Sequence, residues 1–83
     1  MNIEALNQLI ERLQRIAVKN HDEFRYKIEI TPRRVGGTDY RFICQENAEG
    51  HAFLIGTGYT IDLAVADANN SVLGACEDWG YTP

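Results

Sequence analysis

The chain has two cysteines, two prolines, one tryptophan and no lysine or arginine after Arg41. Two cysteines are too few for the disulfide framework that staples small secreted domains. No apolar run reaches the 18 or more residues that mark a membrane span. The start, MNIEALNQLIERLQR, carries acids and no small-residue cleavage site, so it does not read as a secretory signal and a cytoplasmic setting is expected. His-Glu-x-x-His, Cys-x-x-Cys and a Walker loop are all missing. Gly56-Thr57-Gly58 stands before a helix pattern, but it follows an antiparallel strand and Asp62 would repel a phosphate. Glu77 and Asp78 are adjacent, and neighbours on a helix point about 100° apart, which is wrong for an acid/base pair. The sequence therefore names no catalytic residue, no cofactor and no metal ligand, and a non-enzymatic role is expected.

What is present is an ordinary globular composition, 45% hydrophobic and 24% charged. Eighty-three residues suit one domain, 1–83, with one small core. The net charge of −4 is unevenly spread. Residues 1–45 hold all eight Lys and Arg with six acids, whereas residues 46–83 hold six acids and no cation. Acids sharing a face would attract a basic partner and repel nucleic acid.

The patterning reads helix, three strands, helix. Ile3, Leu6, Leu9, Ile10, Leu13, Ile16 and Ala17 recur at steps of three and four, behind Asn2 as N-cap. The period then changes to two: Phe24, Tyr26, Ile28 and Ile30 alternate with Arg25, Lys27 and Glu29 until Pro32. After the loop Arg33-Arg34-Val35-Gly36-Gly37, a second strand carries Tyr40, Phe42 and Cys44 on one face. Asn47 to Gly50 has a turn composition, and a third strand runs from His51 to about Thr57. Pairing Ile30 with Tyr40, and Glu46 with His51, places Phe42 against Ile55 and Cys44 against Phe53. The opposite face then carries Arg25, Lys27, Glu29, Arg41 and Gln45, with Ile43 and Leu54. The last helix opens at Thr60 and ends at Gly80, with Ile61, Val65, Ala68, Val72, Cys76 and Trp79 as its core stripe. Leu63 stands outside that stripe, beside the small residues Ala66, Asn70 and Gly74. The expected architecture is α+β: a two-layer sandwich with a three-stranded antiparallel sheet and two helices on one face. Cys44 and Cys76 fall on packed faces and read as two buried thiols. A bridge would need their Cα atoms within about 7 Å.

The α-β-β-β-α order resembles the double-stranded-RNA-binding domain, which reads A-form RNA by shape and phosphate contacts. That resemblance implies lysines at the start of the last helix, where this chain has Thr60-Ile61-Asp62-Leu63. The hairpin followed by Gly56-Thr57-Gly58-Tyr59-Thr60 and an alanine-rich helix is similar to the architecture of HicB-like antitoxins. In size, acidity and lack of catalytic motifs the chain also resembles small phage-encoded accessory proteins of the anti-CRISPR kind, which occupy protein surfaces. No motif of that class maps onto individual residues. The expectation is a protein-binding module of inhibitor type, docking Glu46, Glu49, Asp67, Glu77 and Asp78 on a basic site of a nucleic-acid-handling complex. Arg33 and Arg34 would form a second contact. A homodimer is the other partnership compatible with the pattern. The alternative is a nucleic-acid-binding domain using the basic loop and the open sheet face, but the aromatics lie on the opposite, packed face.

Overall fold

A computed structural model describes all 83 residues. The elements run α1 (Ile3–Lys19), β1 (Phe24–Pro32), β2 (Thr38–Glu46), β3 (Ala52–Gly58) and α2 (Ile61–Trp79). The three strands form one antiparallel sheet in the order β1-β2-β3, with the helices packed against one side.

Each helix starts where its cap residue stands. Asn2 accepts a hydrogen bond from the Ala5 N–H at 3.1 Å, and Thr60 accepts one from the Leu63 N–H, also at 3.1 Å. Gly80 ends α2 in the left-handed conformation, and the Tyr81 N–H reaches back to the Cys76 carbonyl at 2.9 Å. The helices lie side by side and parallel. Asp62 accepts from the Asn2 N–H (2.6 Å) at their starts, and Arg12 donates to the Asn69 carbonyl and Oδ1 midway. At their ends the Asn20 side chain pairs with both backbone groups of Thr82, at 2.8 Å each.

The core joins Leu9, Leu13 and Ile16 of α1 to Val65, Ala68, Val72 and Cys76 of α2, over Phe42, Cys44, Phe53 and Leu54 of the sheet. Cys44 and Cys76 are both free and buried. Burial pushes the Cys44 thiol up to about 12, and it raises Cys76 as well.

The first hairpin has the expected register: Ile30 faces Tyr40, Ile28 faces Phe42 and Tyr26 faces Cys44. The second differs by one residue. Glu46 still closes the turn, donating its N–H to the His51 carbonyl at 2.9 Å. A bulge between Cys44 and Gln45 then slips the ladder, so Cys44 faces Leu54, Phe42 faces Gly56 and Ile43 faces Ile55. The slip corrects the face assignment of β3. Leu54 enters the core, Ile55 moves to the outer face, and Phe53 stays buried because the bulge lets two successive residues turn inward.

The slip has a steric reason. It brings Gly56 under α2, where a Cβ would lie 2.2 Å from the Ala64 carbonyl oxygen and 2.5 Å from the Ala68 Cβ. Only glycine lets the strand and helix approach this closely. Ile55 in that position would hold the layers apart.

Candidate functional site

The topology gives the molecule two chemically different ends along its 42 Å axis. At one end lie the hairpin loop Arg33–Gly37 and the starts of both helices. At the other lie the turn Asn47–Gly50, the start of β1 and the ends of both helices. Parallel helices put two negative dipole ends together.

Glu46 does not belong to the exposed acidic surface expected for it. Its side chain is buried, with 5% of the residue exposed, and both carboxylate oxygens accept from the turn: Ala48 N–H at 2.7 Å, Glu49 N–H at 2.9 Å and His51 N–H at 2.9 Å. The bond from His51 leads in holding its carboxyl below the usual carboxylate range. Glu46 organises the turn, and its burial and three internal bonds withhold it from a partner.

Asp67 also has an internal task. Its Oδ2 accepts the Thr57 N–H at 2.9 Å, a donor on the outer edge of β3. It thereby occupies an edge donor that would otherwise stay open to another strand.

Asp67, Glu49, Glu77 and Asp78 are all exposed, but only Glu49, Glu77 and Asp78 lie at the helix-end pole. Glu49 has a partner at its own turn, the His51 ring 3.5 Å away. Glu77 and Asp78 have no ion pair, and no basic residue stands in the last turn of α2. Asp22 and Glu23 stand at the same pole. Asp22 accepts the Tyr81 hydroxyl hydrogen bond at 2.6 Å, and burial is the first cause of the strongly raised Tyr81 phenol.

Between these acids sits an aromatic cluster. Phe24 stacks on Phe53 at 5.0 Å between ring centroids, and Tyr81 covers Phe53 at 5.2 Å. Trp79 meets Phe53 edge-on and stacks on Tyr81, both at 6.2 Å. Sequence periodicity assigns Trp79 to the core, yet 38% of it is exposed. The last residue of a helix overhangs the layer beneath it, and the indole closes the cluster while showing one side to solvent. An indole in this setting offers a partner a rigid apolar anchor.

Two cations share this pole: Lys19 at the end of α1 donates to the Pro83 carbonyl at 2.8 Å, and Arg25 donates to Asn47 at 3.2 Å; the loop arginines lie elsewhere. Arg33 donates to Asp39 at 3.0 Å and stacks over the Tyr59 ring at 4.4 Å, while Arg34 is exposed in the loop. The nine-residue strands separate this loop from the acidic pole by roughly 30 Å, given about 3.3 Å per residue. Arg33 and Arg34 are therefore not part of one patch with Glu49, Glu77 and Asp78. On the outer sheet face, Glu29 sits between Lys27 (3.6 Å) and Arg41 (3.5 Å), and Arg25 donates to Asn47. That face is a mixed-charge surface with Ile43 and Ile55 at its middle, not a basic stripe. No group of His, Cys, Asp and Glu side chains in the structure is arranged to hold a metal ion. No helix is long and apolar enough to cross a membrane.

No family model, curated protein or solved structure matches the chain.

Proposed function

We propose that this chain is a protein-binding module that docks its acidic pole on a basic surface of a nucleic-acid-handling protein, as an inhibitor of the phage accessory kind would. One observation carries this reading. Glu77 and Asp78 are exposed and unpaired at the C-terminal end of α2, beside the half-exposed Trp79. The helix dipole disfavours anions there, by about 0.3–1 kcal/mol each at exposed sites. Acids that weaken their own helix are consistent with a role outside it. Glu49 adds a third carboxylate at the same pole, and the cations that share it, Lys19 and Arg25, bond the Pro83 carbonyl and Asn47 and form no ion pair with this set. Such a pole mimics the charge, though not the shape, of a phosphate run, and it steers a basic partner toward Trp79.

The test compares the native chain with Glu49→Gln/Glu77→Gln/Asp78→Asn as bait in nuclease-treated bacterial lysate. A Glu4→Gln/Glu11→Gln chain serves as charge control. A stoichiometric protein held by the native and control chains, and lost from the triple variant with its fold intact, supports the proposal. Equal capture by the triple variant overturns it. So does capture that disappears with nuclease, which moves the contact to Arg34 and the outer sheet face.

A further inference from the structure

The sheet has two edges, and the chain treats them differently. On β3, Asp67 holds the Thr57 N–H and α2 lies close over the strand. The β1 edge carries no such guard.

Which β1 groups face outward follows from the ladder. Arg33 donates its N–H to the Gly37 carbonyl at 3.0 Å, in line with the β1–β2 register. Bonds alternate along an antiparallel pair, so Arg25, Lys27, Glu29 and Thr31 turn their backbone groups to β2. Phe24, Tyr26, Ile28 and Ile30 turn theirs outward. The Glu46 bond to His51 fixes the same alternation from the other side of β2. Pro32 falls in the outward set, where its missing N–H costs no ladder bond. No hydrogen bond outside the ladders reaches the outward groups. Beside them Ile30 is 60% exposed, a β-branched residue on the helix side of the sheet with nothing over it.

We propose that this edge pairs with the same edge of a second copy of the chain, antiparallel and centred on Ile28, to make one sheet continuous across the dimer. Charge selects both the occupant and the register. Centring on Ile28 sets Lys27 opposite the partner's Glu29, and Glu29 opposite the partner's Lys27. Arg25 meets the partner's Thr31. Centring on Lys27 or Glu29 opposes that residue to its own copy, and centring on Tyr26 opposes Arg25 to Lys27. Like charges directly opposite are destabilising, and opposite charges help. On the other face the Ile28 register sets Tyr26 against the partner's Ile30, an aromatic and β-branched pair that covers the exposed isoleucine. Continued past the strand ends, it brings Glu23 toward the partner's Arg33 and Asp22 toward the partner's Arg34. The acidic pole of each copy then meets the basic loop of the other, leaving Glu49, Glu77 and Asp78 outside the contact. The dimer thus stands independently of the docking function proposed above.

Sedimentation equilibrium of the purified chain at low salt, up to millimolar concentration, tests this. The native chain is expected to dimerise. Lys27→Glu alone and Glu29→Lys alone each create two like-charge pairs and are expected to weaken the dimer roughly tenfold or more. Lys27→Glu/Glu29→Lys together restore the opposite-charge pairs of the Ile28 register and are expected to recover the dimer. Ile30→Pro removes one outward N–H without touching the β2 ladder and is expected to give a folded, weaker-pairing chain, its fold checked by circular dichroism. A native chain that stays monomeric overturns the proposal. A dimer indifferent to all these changes, or one not rescued by the double exchange, overturns it equally.

Discussion

Replacing Gly56 with alanine tests whether β3 and α2 are in backbone contact. The added methyl would lie 2.2 Å from the Ala64 carbonyl oxygen and 2.5 Å from the Ala68 backbone nitrogen. Ordinary contact between such atoms begins near 3.4 Å, so the overlap is about an ångström and the clashing atoms are backbone. A rotamer change cannot relieve it; the helix must move. Overpacking of this kind costs about 1–3 kcal/mol and occasionally more, and a backbone clash belongs at the upper end. Against a total of roughly 4–12 kcal/mol for a chain of this length, a loss near 3 kcal/mol lowers Tm by about 12–24 °C. Gly74→Ala is the matched control. Gly74 is exposed within α2 with nothing within 4 Å of its would-be Cβ, so alanine there should raise stability by about 0.8–1 kcal/mol. Calorimetric unfolding of both variants reads the two signs. A Gly56→Ala chain as stable as the native one would refute the close approach of the layers.

Gly58→Ala, whose methyl would meet the Leu63 Cβ at 2.5 Å and the Ala64 nitrogen at 2.8 Å, should also destabilise, by less than Gly56→Ala because its approach is less close than the 2.2 Å at Gly56; the same melts measure it. Glu46→Gln should lower Tm at neutral pH by weakening the turn. Because the folded carboxyl titrates below its ordinary value, the stability it supplies is present above roughly pH 4.3 and is lost as pH falls through the folded value, so the gap between native and variant melts should close on acidification. Cys44, pushed up to about 12, should resist thiol reagents at pH 8 in the folded chain and react once it is unfolded. Glu77→Gln and Asp78→Asn should each raise stability by about 0.3–1 kcal/mol while weakening partner binding, a stability gain at the expense of function.

Local rules made most of the fold legible. Asn2, Thr60 and Gly80 mark their helix ends because each satisfies backbone groups that nothing else reaches. The alternation of Phe24 to Ile30 sets the first hairpin because its two faces differ so strongly. The second hairpin escaped the pattern because Phe53, Leu54 and Ile55 are all apolar. Hydrophobicity cannot choose which of the three turns outward; the Gly56 contact with α2 chooses, and it is a tertiary fact. The signal was present as Gly56 and Gly58 facing Ala64 and Ala68, small residues in two elements that must meet.

The candidate site was only partly legible. The charge asymmetry identifies the acidic half, but net charge says nothing about which carboxylates the fold consumes. Glu46 lies beside a turn whose free N–H groups it satisfies, and Asp67 accepts the edge N–H of Thr57 directly. Both uses depend on where the turn and edge come to lie. Trp79 continues the core stripe in sequence, yet it stands where the helix outruns the sheet, so periodicity alone buries it.

Trp79 is the only tryptophan, and it stands among the acids proposed to make the contact. Its fluorescence during titration with the captured partner therefore tests the docking pole most directly. A blue shift is expected that saturates at the binding stoichiometry, weakens with added salt and is absent when the triple variant is titrated. Saturable binding that leaves the Trp79 emission unchanged would contradict docking at that pole, because the partner would then sit elsewhere on the molecule.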